Sequence, residues 1–224
     1  MYAKLLECGI RTAEHAELLA QEIFEQATLQ HNFVGMYADL CSRLLFDLGD
    51  VSPQLQNALL QHCEVLFQSS LSTADRKKKN DGDNDGDADE EEKQALRRKR
   101  MLGTARFFGQ LFVRCVASSD KFFACCTELL KTHQNEHIEI LAAILTVVGP
   151  VFDSAECFEH DQLRMVFSQL RGLQFDPTVP PRVKCRIRDV FDLRDSSWVD
   201  TKQALMVEAP KHLAEVKANR RHTD

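Results

Sequence analysis

ALRRKRMLGTARFFGQLFVRCV, residues 95–116, is the stretch that indicates how this 224-residue chain folds. After a basic start, its apolar side chains recur at steps of three and four residues, which predicts an α-helix. Phe107 and Leu111 point away from the main apolar stripe, so apolar surface covers most of the circumference. A helix of this kind is covered by neighbours on several sides. We therefore expect it in the middle of the structure.

The polar side of this helix is a narrow basic row. Arg106, Gln110 and Arg114 follow one another at four-residue steps, behind four consecutive basic residues at the helix start. The row has two interpretations: it solvates the surface of a core helix, or it contacts RNA or an acidic partner. For the second interpretation, the candidate RNA-binding residues are Arg97, Arg98, Lys99, Arg100, Arg106 and Arg114.

Composition predicts an all-α chain. Hydrophobic residues make up 44%, enough to bury a sizeable core, while glycine and proline number only nine and six. Few segments show the alternation of Val, Ile, Thr and Tyr that is typical of strands. At this length the chain suits one large domain, which we place at residues 1–224.

An acidic, charge-rich segment interrupts this domain. Residues 81–92 contain five Asp and three Glu, so without them the net charge changes from −6 to +2. We predict a disordered insert at residues 72–93, because the segment has little apolar content. The run also matches an EF-hand calcium loop. However, Ala88 stands at its eighth position and no apolar helix precedes it, which favours an acidic loop without metal.

Other motifs for metal or catalysis are missing from the sequence. The eight cysteines include no C-x-x-C pair, and most lie in apolar helical contexts, which indicates buried, reduced thiols in the cytosol or nucleus. We find no zinc-protease motif, phosphate-binding glycine loop or serine nucleophile elbow. The chain begins without a secretory signal, and no apolar run approaches membrane-spanning length. We expect no enzyme, no cofactor, no metal and no membrane partner.

Start and stop signals divide the chain into ten helices. Thr12 and Asn32 are candidate N-caps, Ser52-Pro53 and Pro180-Pro181 are start signals, and Gly149-Pro150 is a stop signal. Ten helices joined by short turns make five antiparallel hairpins, with spacing near that of HEAT repeats. Spacing alone leaves a solenoid and a globular bundle open. The predicted helices lie at 2–7, 13–29, 33–48, 53–69, 95–116, 120–131, 136–148, 157–173, 181–194 and 210–219.

Five stretches in matching order and spacing carry a family resemblance over nearly the whole chain. They are Ile23-Phe24-Glu25 with Ala27, Asn32-Phe33, Tyr37-Ala38 and Cys41; the basic run into Leu102-Gly103 with Phe107, Gly109, Leu111 and Phe112; Leu141, Leu145, Thr146 and Gly149; RVKCRIRDVFDLRDSSWV at 182–199; and Pro210-Lys211. Together they resemble the middle domain of eukaryotic translation initiation factor 4 gamma. This sequence departs from the family's pattern at Thr104, Gln110 and Cys185, where the family often has Asn, Glu and Phe.

The resemblance implies a fold and a set of partners. The fold would be five HEAT-type hairpins in a crescent. The function would be that of a monomeric, non-catalytic, cytoplasmic scaffold of translation initiation. It would bind and activate the DEAD-box RNA helicase initiation factor 4 A, and contact RNA and initiation factor 3. The implied helicase-binding residues are Asn32, Phe33, Arg182, Arg186, Arg188, Asp189, Asp192, Arg194 and Trp198.

Each of these sites has a structural alternative. The charges of the 182–194 helix can pair within it, as Arg188 with Asp192, instead of meeting a helicase. Trp198, the only tryptophan, can fill the core or anchor an interface, and Asn32-Phe33 can simply cap and pack a turn. The function also has alternatives: a related middle-domain protein of mRNA splicing, decay or export, or a helical-repeat protein that binds RNA without a helicase.

Overall fold

A computed structural model of the chain describes residues 2–77 and 88–199, and all regular structure in these ranges is helical. This confirms the all-α prediction. Two 3-10 turns, His31–Phe33 and Gly49–Val51, accompany the α-helices. The α-helices are α1 (Tyr2–Glu7), α2 (Ala13–Leu29), α3 (Val34–Asp47), α4 (Ser52–Lys77), α5 (Ala88–Val113), α6 (Ser119–Lys131), α7 (Asn135–Phe152), α8 (His160–Gln174) and α9 (Pro181–Asp195).

The helices stack in two layers. In the first layer α3, α5, α7 and α9 pack side by side in that order; in the second, α2 packs on α4 and α6 packs on α8. Every extensive contact in the described ranges joins helices that are at most three positions apart along the chain. Contacts restricted to near neighbours are typical of a solenoid of stacked hairpins. The structure therefore favours the solenoid over the globular bundle.

Helix α5 lies in the middle of the stack, as its sequence predicts. It contacts α2, α3 and α4 on one side and α7 on the other. Phe107 is fully buried and faces Phe24 of α2, while Phe112 stacks on Phe122 of α6 with ring centroids 3.9 Å apart. At Gly109 a Cβ atom would lie 3.1 Å from Cβ of Val147, so the missing side chain lets α5 approach α7 closely.

Local signals set several helix boundaries correctly. The Thr12 hydroxyl accepts a hydrogen bond from the backbone N–H of His15 at 3.2 Å and caps α2. Helix α4 begins at Ser52, and α9 begins at Pro181 behind Pro180. The predicted Asn32 cap is wrong, because Asn32 lies inside a 3-10 turn and α3 begins without a side-chain cap.

The predicted stop signal in α7 is also wrong, because the helix continues through Pro150 to Phe152. A proline inside a helix removes one N–H donor. Here the break falls in the last turn, which the backbone N–H of Asp153 closes by donating to the Gly149 carbonyl at 3.0 Å. Gly149 instead has a packing role, because the ring of Trp198 lies directly over it.

Helix covers both ends of the segment predicted as a disordered insert. Helix α4 extends to Lys77 and α5 begins at Ala88, so residues 72–77 and 88–93 are helical. The calcium-loop pattern falls mostly outside the described residues, as does the predicted tenth helix at 210–219. In the two described ranges no group of three or more His, Cys, Asp and Glu side chains could hold a metal ion.

Helix α7 is the candidate membrane span within the described ranges, by length and composition only. The sequence prediction that no run approaches this length is therefore wrong. More than half of the helix is buried inside the fold, between α5 and α9, which is the position of a core helix.

Only three of the eight cysteines are buried, fewer than predicted: Cys41, Cys63 and Cys126. Burial raises the pKa of Cys41 to about 12, so this thiol stays protonated.

We expect His137 to make the stability of the fold fall in mild acid. The side chain is fully buried at the start of α7, with its Nδ1 hydrogen-bonded to the Thr132 hydroxyl. Burial lowers its pKa below the ordinary 6.5. Below pH 6.5 the unfolded chain therefore binds the proton more readily, and the free energy of unfolding falls as pH drops, by at most about 1.4 kcal/mol per pH unit.

Urea unfolding between pH 7.5 and pH 5 measures this dependence. His137→Gln should flatten it relative to the wild type, whereas His15→Gln, at an exposed position in α2, should leave it unchanged. An equally steep loss of stability in His137→Gln would assign the effect to other groups.

Candidate functional site

The outer surface of the first layer is a charged face that runs across α3, α5, α7 and α9. Its centre is α5, from which Arg98 contacts Glu139 of α7, Arg106 lines a cleft beside α7 and α9, and Arg114 contacts Asp39 of α3. We name this surface the charged face. It joins candidate RNA-binding residues of α5 to candidate helicase-binding residues of α9.

At the α3 end of the charged face, Arg114 is held by internal partners. Its Nε donates to Oδ1 of Asp39 on α3 at 2.7 Å, and its Nη1 donates to the backbone carbonyl of Gln110 and to the Gln110 side chain. The Arg114 guanidinium lowers the pKa of the Asp39 carboxyl, chiefly through this hydrogen bond. The pair links α5 to α3, so Arg114 holds the scaffold together more than it presents a free cation.

Towards α9, a buried carboxylate gathers two more arginines. The side chain of Glu139 on α7 is only 4% exposed and accepts a hydrogen bond from Nη2 of Arg98 at 2.7 Å. Nη2 of Arg182 on α9 lies 3.0 Å from the other carboxylate oxygen without hydrogen-bond geometry, so this contact is an ion pair. The three side chains link α5, α7 and α9. Glu139 was missed from the sequence, although a charge inside an apolar helix is a usable signal.

Between the same three helices lies a cleft of about 120 Å³. Arg106 and Arg186 line it together with Asp189 and Glu139. Arg186 and Asp189 form an ion pair at 3.7 Å, and both side chains are more than half exposed. Burial, and then the positive charge of Arg186, lower the pKa of Arg106. The cleft thus brings a predicted RNA-binding residue beside two predicted helicase-binding residues.

The four consecutive basic residues at the start of the central stretch do not form one patch. Successive helix positions point about 100° apart. Arg97 turns towards α4 and donates to the backbone carbonyl of Ser69 at 3.2 Å, whereas Arg98 turns towards Glu139. Lys99 is exposed and Arg100 is half-buried. Only part of the predicted RNA-binding set therefore lies on the charged face.

A second side of α9 carries Arg188 and Asp192, which are both exposed. The predicted ion pair between them is not formed in the described structure, and Arg186 pairs with Asp189 instead. The predicted buried stripe is confirmed, with these residues in the core: Val183, Ile187, Val190 and Phe191. Arg188 is thus presented to solvent on α9.

The end of α9 turns inward rather than outward. Nε and Nη2 of Arg194 donate to the two carboxylate oxygens of Asp153 at 2.7 and 2.8 Å, and its guanidinium lies over the ring of Phe167 at 4.2 Å. Nε1 of Trp198 donates to the same carboxylate at 3.2 Å, and its ring covers Gly149. Of the alternatives for Trp198, this geometry is that of a residue packed against the core.

The remaining predicted contact, Asn32-Phe33, lies in the turn between α2 and α3. Asn32 is exposed, and Phe33 is 52% exposed. In the first layer, α5 and α7 separate this turn from α9. The structure therefore keeps the two predicted helicase contacts apart, at opposite ends of the layer.

Comparison with known proteins places this architecture in a family. The MIF4G domain model matches residues 4–197, which is most of the chain. The chain belongs to the MIF4G family. This confirms the resemblance found in the sequence, and the helical, HEAT-like architecture described above is the fold of this family.

Individual relatives of this MIF4G domain are translation factors. It is 32% identical to "Eukaryotic translation initiation factor 4G" of Triticum aestivum, over 96% of this chain and 15% of the relative. It is 26% identical to "Eukaryotic translation initiation factor 4 gamma 1" of Mus musculus, over 88% of this chain and 13% of the relative. The chain thus spans about one seventh of the length of these proteins.

Proposed function

We propose that this MIF4G domain is a non-catalytic scaffold of translation initiation, acting in the cytoplasm, that binds and activates the DEAD-box helicase initiation factor 4 A. The observation that carries the proposal is the 32% identity to a translation initiation factor 4G across 96% of the chain. The stacked-helix architecture supports it, because such solenoids offer extended binding surfaces.

The two ends of the first layer supply the proposed helicase contacts. At one end Asn32 and Phe33 are exposed in a turn, and at the other Arg188 and Asp192 are exposed on α9. Each end would hold one lobe of the helicase. Holding both lobes in a near-closed orientation reduces the entropy lost on domain closure, which would raise the rate of the ATP-dependent cycle. Arg194 and Trp198 would act indirectly, by fixing the end of α9.

Contact with RNA is the second part of the proposal. Lys99 is exposed, and Arg97 and Arg100 are near it in the basic run of α5. Salt-dependent attraction to phosphates would keep RNA close to the helicase. Arg98 and Arg114 hold carboxylates within the domain, so they would contribute less to RNA binding than the other predicted RNA-binding residues. Contact with initiation factor 3 is a further proposal, and the domain would act as a monomer without cofactor.

We expect substitutions at either end to weaken helicase binding without unfolding the domain. Phe33→Ala removes an exposed aromatic anchor, and Arg188→Glu reverses an exposed charge. Each should lower the affinity for initiation factor 4 A at least about tenfold, as for central interface residues. Calorimetric titration measures the affinity, and RNA-stimulated ATP hydrolysis measures the activation.

A matched control is Phe46→Ala, because Phe46 is 88% exposed near the end of α3, the helix that follows the turn. It should bind the helicase as the wild type does. If the wild-type domain neither binds initiation factor 4 A nor stimulates its ATPase, the proposal is wrong. Tight, salt-dependent RNA binding in that case would indicate a helical-repeat protein that binds RNA alone.

A further inference from the structure

The cleft between α5, α7 and α9 holds an arginine that the fold leaves without a partner. Arg106 is half-buried, yet no hydrogen bond or ion pair reaches its guanidinium from residues 2–77 or 88–199. Buried cations are ordinarily paired, because removing a charge from water is costly. The neighbouring positive charge of Arg186 makes the position less favourable still, and both effects lower the pKa of Arg106. An unpaired arginine in a cleft is therefore a candidate for an external anion.

The carboxylates that line the cleft do not meet this need. Glu139 is already paired with two arginines. Its Oε2 lies 2.7 Å from Nη2 of Arg98, and its Oε1 lies 3.0 Å from Nη2 of Arg182. Asp189 lies 3.7 Å from Arg186, in an ion pair whose two side chains are mostly exposed and which is therefore weak. Arg106 and Arg186 line the cleft with Glu139 and Asp189, and because both carboxylates are already paired with other arginines, Arg106 is left without one in the described ranges.

The surroundings favour a single anionic group over a chain of phosphates. A bound nucleic-acid strand needs several free cations in a line. Two other arginines of α5 are already engaged, Arg98 by Glu139 and Arg114 by Asp39, both at 2.7 Å. The cleft is also small, about 120 Å³, and two alanines, Ala142 and Ala143, form part of its wall. An apolar wall beside a guanidinium suits methylene groups that end in a carboxylate.

We propose that this cleft binds the side-chain carboxylate of a Glu or Asp residue presented by a protein partner, with Arg106 as the main ligand and Arg186 as the second. The guanidinium fork of Arg106 would receive the carboxylate, while the side-chain methylenes pack on the alanine wall. The bound carboxylate would form the ion pair with Arg106 that the described residues do not form. Arg186 is also a predicted helicase-binding residue, but the test of this site requires only an accessible acidic side chain, so this proposal and the helicase proposal can fail separately.

Nuclear magnetic resonance of the arginine Nε–Hε groups tests this directly on the whole chain. The probes are two blocked tripeptides, acetyl-Ala-Glu-Ala-amide and its neutral match acetyl-Ala-Gln-Ala-amide, and a ten-residue oligouridylate. The Glu peptide should shift the Arg106 signal saturably, and the Gln peptide should not. Arg106→Gln should weaken binding of the Glu peptide at least about tenfold, as loss of a charge-assisted pair does. Arg188→Gln, at the exposed position on another side of α9, should leave it within about twofold.

A melting curve separates the ligand role from a structural one. If Arg106 serves a ligand, Arg106→Gln should melt at the same temperature as the wild type or higher, because it removes an unpaired, half-buried charge. A lower melting temperature would overturn the proposal, since it would show that the fold depends on Arg106. So would a Glu peptide that fails to shift the Arg106 signal. Tighter, Arg106-dependent binding of the oligouridylate would assign the cleft to RNA and would also overturn it.

Discussion

Gly149→Ala is expected to destabilise the domain by about 2–3 kcal/mol, although glycine to alanine usually stabilises a helix. The reason is the ring of Trp198, which covers Gly149 so closely that an added Cβ atom would overlap it, with Cε2 only 2.6 Å away. The ring cannot shift freely, because Nε1 donates to Asp153 and the ring also contacts Phe167. Urea unfolding at pH 7.5 measures the loss.

The chain offers a matched control in Gly172 of α8. It is also helical, but nothing lies within 4 Å of a Cβ atom built there. Gly172→Ala should therefore stabilise the domain, by up to about 1 kcal/mol.

A double-mutant cycle then isolates the contact. Trp198→Ala alone should cost about 3 kcal/mol, but with the ring removed Gly149→Ala should cost nothing further. Additive losses in the double variant would show that the ring does not lie over Gly149.

Arg194→Ala is expected to lower the free energy of unfolding by about 3 kcal/mol, because it leaves the Asp153 carboxylate buried without its main partner. The Asp153 side chain is 8% exposed and accepts two hydrogen bonds from Arg194, whose side chain is 24% exposed. The guanidinium also lies over the Phe167 ring. Arg194→Glu should cost more, since it sets two carboxylates side by side.

Arg188 is the matched control on the same helix. It is exposed and forms no ion pair with the described residues, so Arg188→Ala should change stability by less than about 0.5 kcal/mol. The two variants also separate the two interpretations of the α9 charges. Equal stability of both variants would mean that the Arg194–Asp153 pair contributes nothing, and that Arg194 is free to meet a partner.

These expectations change how the helicase-binding set should be tested. Reversing Arg194 would weaken binding by disordering the end of α9, whether or not the residue meets the helicase. Loss of affinity in Arg194 variants is therefore ambiguous, whereas loss in Arg188 variants is not. Phe33 gives a similarly clean test at the other end of the first layer, because its ring is already half exposed.

Sequence alone determined the helical class, the family and most helix boundaries. These depend on local chemistry: the spacing of apolar residues, the Thr12 cap, and the start signals at Ser52-Pro53 and Pro180-Pro181. It also placed the 95–116 stretch at the centre, because a helix that is apolar on most sides must be covered on most sides. Its local errors included the facing ends of α4 and α5, which extend into the predicted insert, and Pro150, where a proline falls in the last turn and costs α7 only one backbone hydrogen bond.

Only the tertiary structure decided which charged side chains are free. Arg188 and Arg194 look alike in sequence, yet one faces solvent and the other binds Asp153, 41 residues away along the chain. Glu139 likewise engages Arg98 and Arg182 from two other helices, and Arg106 is left without a partner among the described residues. No local pattern encodes these pairings, because they depend on how helices distant in sequence are placed against one another.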